Sequence, residues 1–155
     1  MNQNWEPFQN VFFFLNSLLT PDSAILQFVT AFIIQIKSEL DNILRIETKF
    51  CNDCVGPVAE EMSQKLMMGE VLLLENLRFY SDETIGDEEF SQKLSRHGDC
   101  YVNDAFGTAH RAHASTTVVA KYFKNKFFGK LLEKEVLALK KVMSNGVSPI
   151  LAVLG

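Results

Sequence analysis

A chain of 155 residues with 47% hydrophobic side chains has the length and apolar content of one ordinary domain. Its formal charge of −4 argues against nonspecific nucleic-acid binding, so any anion site has to be local. Three cysteines, an odd number in a chain this long, do not read as a disulfide framework and suit a reducing cytoplasm.

The first 46 residues differ from the rest. They contain no glycine, six phenylalanines, and two cations, Lys37 and Arg45. No basic segment precedes the first apolar run, which argues against a secretory signal. The runs at 11–19 and 24–36 are separated by Thr20-Pro21-Asp22-Ser23, and neither reaches the roughly 18 to 20 residues of a membrane span. Thr20 followed by Pro21 is a helix start, a hydroxyl cap and then proline at the first helical position. Ile25, Val29, Phe32, Ile36, Leu40 and Ile43 recur at spacings of four and three, predicting an amphipathic helix from about Pro21 to Leu44.

After Ile46 short apolar runs alternate with helical patterns. Lys49-Phe50-Cys51 ends a short strand, and Asn52 to Gly56 is a turn. Pro57 opens a helix with Val58, Met62 and Leu66 inward, closed by Gly69. Val71 to Leu74 is an unbroken apolar run, the pattern of a strand buried on both faces of a parallel sheet. Asp87 to His97 predicts a helix with Phe90 and Leu94 inward, and Cys100-Tyr101-Val102 another strand. Leu131 to Met143 predicts a helix with Leu132, Val136, Leu139 and Met143 on one stripe, stopped at Asn145-Gly146. Ile150 to Leu154 reads as a last strand. This alternation predicts an α/β fold with a doubly wound, mostly parallel sheet and right-handed crossovers. Cys51 and Cys54 form a C-x-x-C pair, but no second pair or nearby histidine completes a zinc site, so no metal is expected.

In such sheets ligands gather at the carboxyl ends of the strands. Three loops meet that rule: Asn52 to Gly56, Glu75 to Tyr80 with Arg78, and Asn103 to Ser115 with His110, Arg111 and His113. A guanidinium is a planar fork that matches phosphate or carboxylate oxygens, and flanking imidazoles add donors near neutral pH. Arg78 and Arg111 can converge on one phosphate; alternatively each pairs with a local acid, Arg78 with Glu75 or Asp82.

The segments Leu73-Leu74-Glu75-Asn76-Leu77-Arg78-Phe79 and Val102-Asn103-Asp104-Ala105-Phe106-Gly107-Thr108-Ala109-His110-Arg111-Ala112-His113-Ala114-Ser115 resemble phosphoglycerate kinase. Asp53 to Pro57, Leu132 to Val136 and Ile150 to Gly155 resemble further family segments in order, so the resemblance runs from about Lys49 to Gly155. It implies two Rossmann-like domains across a cleft, joined by a hinge helix, and phosphoryl transfer between 1,3-bisphosphoglycerate and ADP giving 3-phosphoglycerate and ATP. On this resemblance residues 1–48 are an atypical helical segment, and 49–129 are part of the phosphoglycerate-binding domain. Residues 130–145 are then the hinge helix and 146–155 the start of the nucleotide-binding domain, so the fold is incomplete.

The resemblance makes Arg78 and Arg111 patch arginines gripping the substrate phosphate, with His110 and His113 supporting the electrostatics rather than acting as bases; it carries over no catalytic residue. ATP or ADP and Mg2+ belong to the family's other domain, so this chain is expected to bind neither and to be inactive alone. The implied partner is the small-molecule substrate, with no nucleic acid and no membrane, in a typically monomeric cytoplasmic enzyme. Residues 1–48 lack the family's Asp-Phe-Asn segment, a further arginine and a His-Leu-Gly-Arg-Pro loop. The alternative is a non-catalytic phosphate-binding or protein-interaction module derived from that family.

Overall fold

The computed structural model describes residues 11–13, 23–146 and 151. Among the described residues five strands and five α-helices follow one another. They are β1 (Val11–Phe13), α1 (Ser23–Leu44), β2 (Lys49–Cys51), α2 (Pro57–Gln64), β3 (Leu72–Leu74), α3 (Ser81–Ile85), α4 (Glu88–Ser95), β4 (Cys100–Asn103), β5 (Asn125–Phe128) and α5 (Lys130–Asn145). Every strand pairing is parallel. β1, β4 and β5 form one sheet in that order, with Phe12 opposite Tyr101 and Tyr101 opposite Lys126. β2 and β3 form a second, with Phe50 opposite Leu73. This is the expected α/β arrangement of parallel strands with helical crossovers, incomplete in extent. The predicted start at Thr20-Pro21 and the strand Ile150–Leu154 lie outside the described residues, Leu151 excepted.

The core forms where the sheet meets α4 and the segment after His113. Phe90 and Leu94 of α4, Tyr101 of β4, and Leu77, Ala114, Val119 and Phe123 bury together with Cys54. Phe90 and Leu94 are the inward positions that the sequence predicts. Tyr101 stacks on Phe123 at 5.7 Å between ring centres, and its hydroxyl donates to the Ser115 carbonyl at 2.7 Å. A buried phenol needs such an acceptor, and here it pins the segment after His113 to β4. Asp87 caps α4, accepting from the Phe90 amide at 2.7 Å.

Three helix faces differ from the periodic expectation. In α2 the buried residues are Ala59 and Ser63, while Val58 is 59% exposed and Met62 and Leu66 are half-buried. The Ser63 hydroxyl lies 2.9 Å from Nδ1 of buried His97, so a polar pairing turns the helix and small residues line the contact. The helix also ends at Gln64, before Gly69. In α1 the inward face carries Ile33 with Lys37 and Asp41: Asp41 accepts from the Thr48 amide at 2.6 Å and from Lys37 at 2.8 Å. Ile36 and Leu40 are therefore half-buried and Ile43 exposed; the side chains of Ile25, Val29 and Phe32 lie outside the described residues. In α5 Leu132 is buried, but Val136, Leu139 and Met143 are exposed. That helix is seated by its first turn, where the Leu132 amide donates to Asp104 at 2.8 Å, and its later apolar positions face outward.

β1 and β5 were not legible as strands. β1 lies inside a longer apolar run, and β5 is an edge strand, mostly exposed, that begins Asn125-Lys126.

Candidate functional site

The site is built where β3 and β4 end. After β3 the chain makes one tight turn, Leu77–Phe79, because the Asn76 side chain accepts from the Arg78 amide at 3.0 Å. That turn buries Leu77 in the core and leaves Arg78 half-buried at the rim. After β4, Asn103 repeats the device: its side-chain oxygen accepts from the Ala105 amide at 2.9 Å and its amide group donates to the Thr116 carbonyl at 3.3 Å. The loop from Asp104 to His113 is thereby held at both ends. Between them a short turn at Phe106–Thr108 presents His110 and Arg111 to solvent, while His113 turns inward and is 7% exposed.

The four residues that the sequence singles out come together as two pairs. Arg78 Nη1 lies 3.5 Å from His113 Nε2, and Arg111 Nε donates to His110 Nε2 at 3.2 Å. Burial lowers the pKa of His113, and the positive charges of Arg78, Arg111 and His110 lower it further, so all four share one electrostatic neighbourhood. His113 is consequently neutral near pH 7. Among the described residues neither Arg78 nor Arg111 has a carboxylate within 4 Å, so the pairing of Arg78 with Glu75 or Asp82 does not occur. Glu75 instead accepts from the Asn76 amide at 2.8 Å. Arg78 Nε and His113 Nδ1 are buried without a hydrogen-bond partner. A buried guanidinium nitrogen without a partner, on an arginine that no carboxylate contacts among the described residues, is a donor left available.

The third strand-end loop joins from below. Asp53 accepts from the Tyr80 hydroxyl at 2.6 Å and the Cys54 amide at 2.6 Å, tying the β2 loop to the Arg78 turn. Burial raises the Asp53 pKa, but the Tyr80 hydroxyl and the Val55, Cys54 and Gly56 amides outweigh it, and the carboxylate is held below its usual range. Cys54 donates its thiol to the Glu75 carbonyl at 2.9 Å, and burial pushes its pKa far up; it is a packing residue. Among the described residues no three His, Cys, Asp or Glu side chains are placed to hold a metal ion. No helix of the described residues is long and apolar enough to cross a membrane.

Comparison with known proteins decides the lineage. The family model described as phosphoglycerate kinase matches residues 27–155. The chain belongs to the phosphoglycerate kinase family. The match begins inside α1, further toward the N-terminus than Lys49, where the resemblance becomes legible by eye. Among curated relatives, the phosphoglycerate kinase of Porphyromonas gingivalis is 41% identical over 77% of this chain and 35% of its own length. The cytosolic phosphoglycerate kinase of Nicotiana tabacum is 47% identical, over 75% of this chain and 29% of its own. The crystal structure of phosphoglycerate kinase from Pyrococcus horikoshii superposes with a TM-score of 0.67 at 34% identity, covering 75% of this chain and 30% of that one. The enzyme from Coxiella burnetii gives 0.62 at 33%, covering 74% and 28%. The chain thus spans about a third or less of the length of these relatives.

Two further residues belong to the site and escaped the sequence reading. Glu83 of α3 lies wholly buried behind His113, and Asp104 links the anion loop to α5. Glu83 stands among Asp82, Asp87, Glu88 and Glu89, an acidic run that reads as solvated surface, and nothing in its spacing marks it.

Proposed function

We propose that this chain supplies part of the phosphoglycerate side of a phosphoglycerate kinase, which moves a phosphoryl group between 1,3-bisphosphoglycerate and ADP to give 3-phosphoglycerate and ATP in the cytoplasm. Arg78 and Arg111 take the substrate phosphate, with His110 beside Arg111 and the neutral His113 beside Arg78 as their imidazole partners. The observation that supports this is the buried Arg78 Nε, which has no hydrogen-bond partner, on an arginine with no carboxylate within 4 Å among the described residues. Phosphoryl transfer asks a protein for positioning and charge stabilisation, and an acyl phosphate gives up its phosphoryl group without proton abstraction. A neutral, buried His113 fits that requirement and is superfluous as a base.

Magnesium prefers several oxygen ligands, whereas this donor set is guanidinium and imidazole. The nucleotide and its metal are assigned to the other domain of the family, and no step here passes through them. The partner is a small molecule; nucleic acid and membrane play no part, and the enzyme acts as a monomer.

Titration calorimetry of the chain with 3-phosphoglycerate tests the reading. Arg78→Ala and Arg111→Ala each remove charge-assisted hydrogen bonds of about 1.5 to 3 kcal/mol, an expected loss of about 10- to 100-fold in affinity. Equal affinity in the original chain and both variants would refute it, as would negligible heat in all three.

A further inference from the structure

Glu83 carries no charge partner among the surface lysines; it sits at 0% exposure in a five-residue helix, with both oxygens occupied. Oε2 accepts from the Ser115 amide at 2.9 Å, and Oε1 accepts from the Ser115 hydroxyl at 2.7 Å. The same Oε1 lies 4.0 Å from His113 Nδ1. On the opposite edge of that ring, Nε2 faces Arg78 Nη1 at 3.5 Å. A guanidinium has donors and no acceptor, so Nε2 must present its lone pair. The ring proton is then on Nδ1, the buried nitrogen turned toward Glu83.

From this we infer that Glu83 is a positioning residue: its buried carboxylate fixes His113 in the Nδ1–H tautomer, and His113 Nε2 in turn aims the Arg78 guanidinium at the anion. The order of the relay is Glu83, His113, Arg78, running from the core to the rim. A carboxylate behind a histidine is a recurring way of setting which nitrogen holds the proton. Here the product of that setting is the direction of an arginine rather than a basic nitrogen. Burial raises the Glu83 pKa, and the two Ser115 donors and the Arg78 charge offset part of that rise. A merely structural Glu83 would only hold Ser115. The tautomer would then be set by Arg78 alone, and neither it nor the Arg78 signal would change in a Glu83 variant.

The inference uses the phosphoglycerate reading for its ligand alone, and its first measurement needs no ligand. Long-range 15N–1H spectra of the chain at pH 7.5 should show His113 protonated at Nδ1, and an Arg78 Nε–H signal sharp enough to observe. In Glu83→Gln the side-chain amide can donate to Nδ1; His113 should shift toward the Nε2–H form, the Arg78 signal should broaden, and affinity for 3-phosphoglycerate should fall about ten-fold. Ser115→Ala, which removes the hydroxyl and spares the carboxylate, should keep the tautomer.

An Nε2–H or doubly protonated His113 in the original chain overturns the proposal, even if Glu83→Gln fails to fold. So does a tautomer change in Glu83→Gln with Arg78 and affinity unmoved. Should the original chain bind no 3-phosphoglycerate, the functional reading falls, and the tautomer with the Arg78 signal still decides the relay.

Discussion

Gly86 is the position where one methyl group should separate stability from binding. It ends α3 in the left-handed region, at φ 72 and ψ 41, with its amide donating to the Asp82 carbonyl. A Cβ there would stand 2.5 Å from the Ala112 carbonyl oxygen and 3.3 Å from a Val118 methyl. Ala112 is the residue between Arg111 and His113, so the anion loop rests directly on this glycine. Gly86→Ala meets two costs. The left-handed backbone costs an alanine about 1 to 2 kcal/mol, which in a chain of this size lowers Tm by roughly 3 to 6 °C. The obstructing atom is backbone, so relief requires the loop to retreat by about 1 Å to reach normal van der Waals separation. That displacement is carried straight into Arg111 and His113, and affinity for 3-phosphoglycerate should fall at least about ten-fold. Gly86→Asn divides the two effects, because asparagine tolerates the left-handed region yet keeps the Cβ. Thermal melts and calorimetry on both variants should show Asn recovering part of the Tm loss and none of the binding. Unchanged Tm and affinity in Gly86→Ala would refute the reasoning, and so would full recovery of both by Asn.

Two other outcomes follow from features of the fold. Asp104→Ala removes the only side-chain cap that α5 receives among the described residues, a loss of about 1 kcal/mol, and hydrogen exchange at the Leu132 amide should accelerate about five-fold while α4 amides stay protected. Unaltered exchange at Leu132 would show that the cap is dispensable. His97 donates Nε2–H to the Cys54 carbonyl at 2.7 Å, and burial lowers its pKa despite that carbonyl and the charges of Glu60 and Asp53. The unfolded chain, with histidine near 6.5, therefore binds more protons just below that pH, so stability should drop as pH falls from about 7 toward 5.5. His113 contributes with the same sign. Urea midpoints should decline over that window and decline less in His97→Gln; a midpoint that rises on acidification would contradict the assignment.

How much the sequence disclosed depends on what each residue answers to. Phe90 and Leu94 in α4 respond to water and were legible by periodicity; β3 was legible as an unbroken apolar run, though its three leucines are half-buried rather than covered on both faces. Val58 and Ser63 respond to a partner instead. Ser63 is buried because His97 is there to meet it, and Val58 is left outside, an inversion that no hydropathy pattern expresses. The same division holds at the site. Arg78, His110, Arg111 and His113 stand in two loops at strand ends, so topology alone placed them. Glu83 reaches the site by way of Ser115, 32 residues further on, and its neighbours in sequence disguise it as surface charge. The alternation of Arg111 outward and His113 inward rests on Gly86, whose missing Cβ is silent until Ala112 is seen against it.

The joint between the anion loop and α5 has a mechanical side. The Gly129 amide donates to the Asn103 carbonyl at 2.8 Å, the Leu132 amide to Asp104 at 2.8 Å, and a Cβ on Gly129 would fall 2.2 Å from the Asp104 side chain. Three restraints within one turn clamp the root of the helix to the residues that open the loop. α5 has 16 residues and so extends about 24 Å from that clamp. A tilt of about 5° at its root sweeps Asn145 through about 2 Å, by leverage over that length. A loop movement too small to notice at Asp104 is thus magnified at the far end into a distance as long as a side-chain contact is sensitive to.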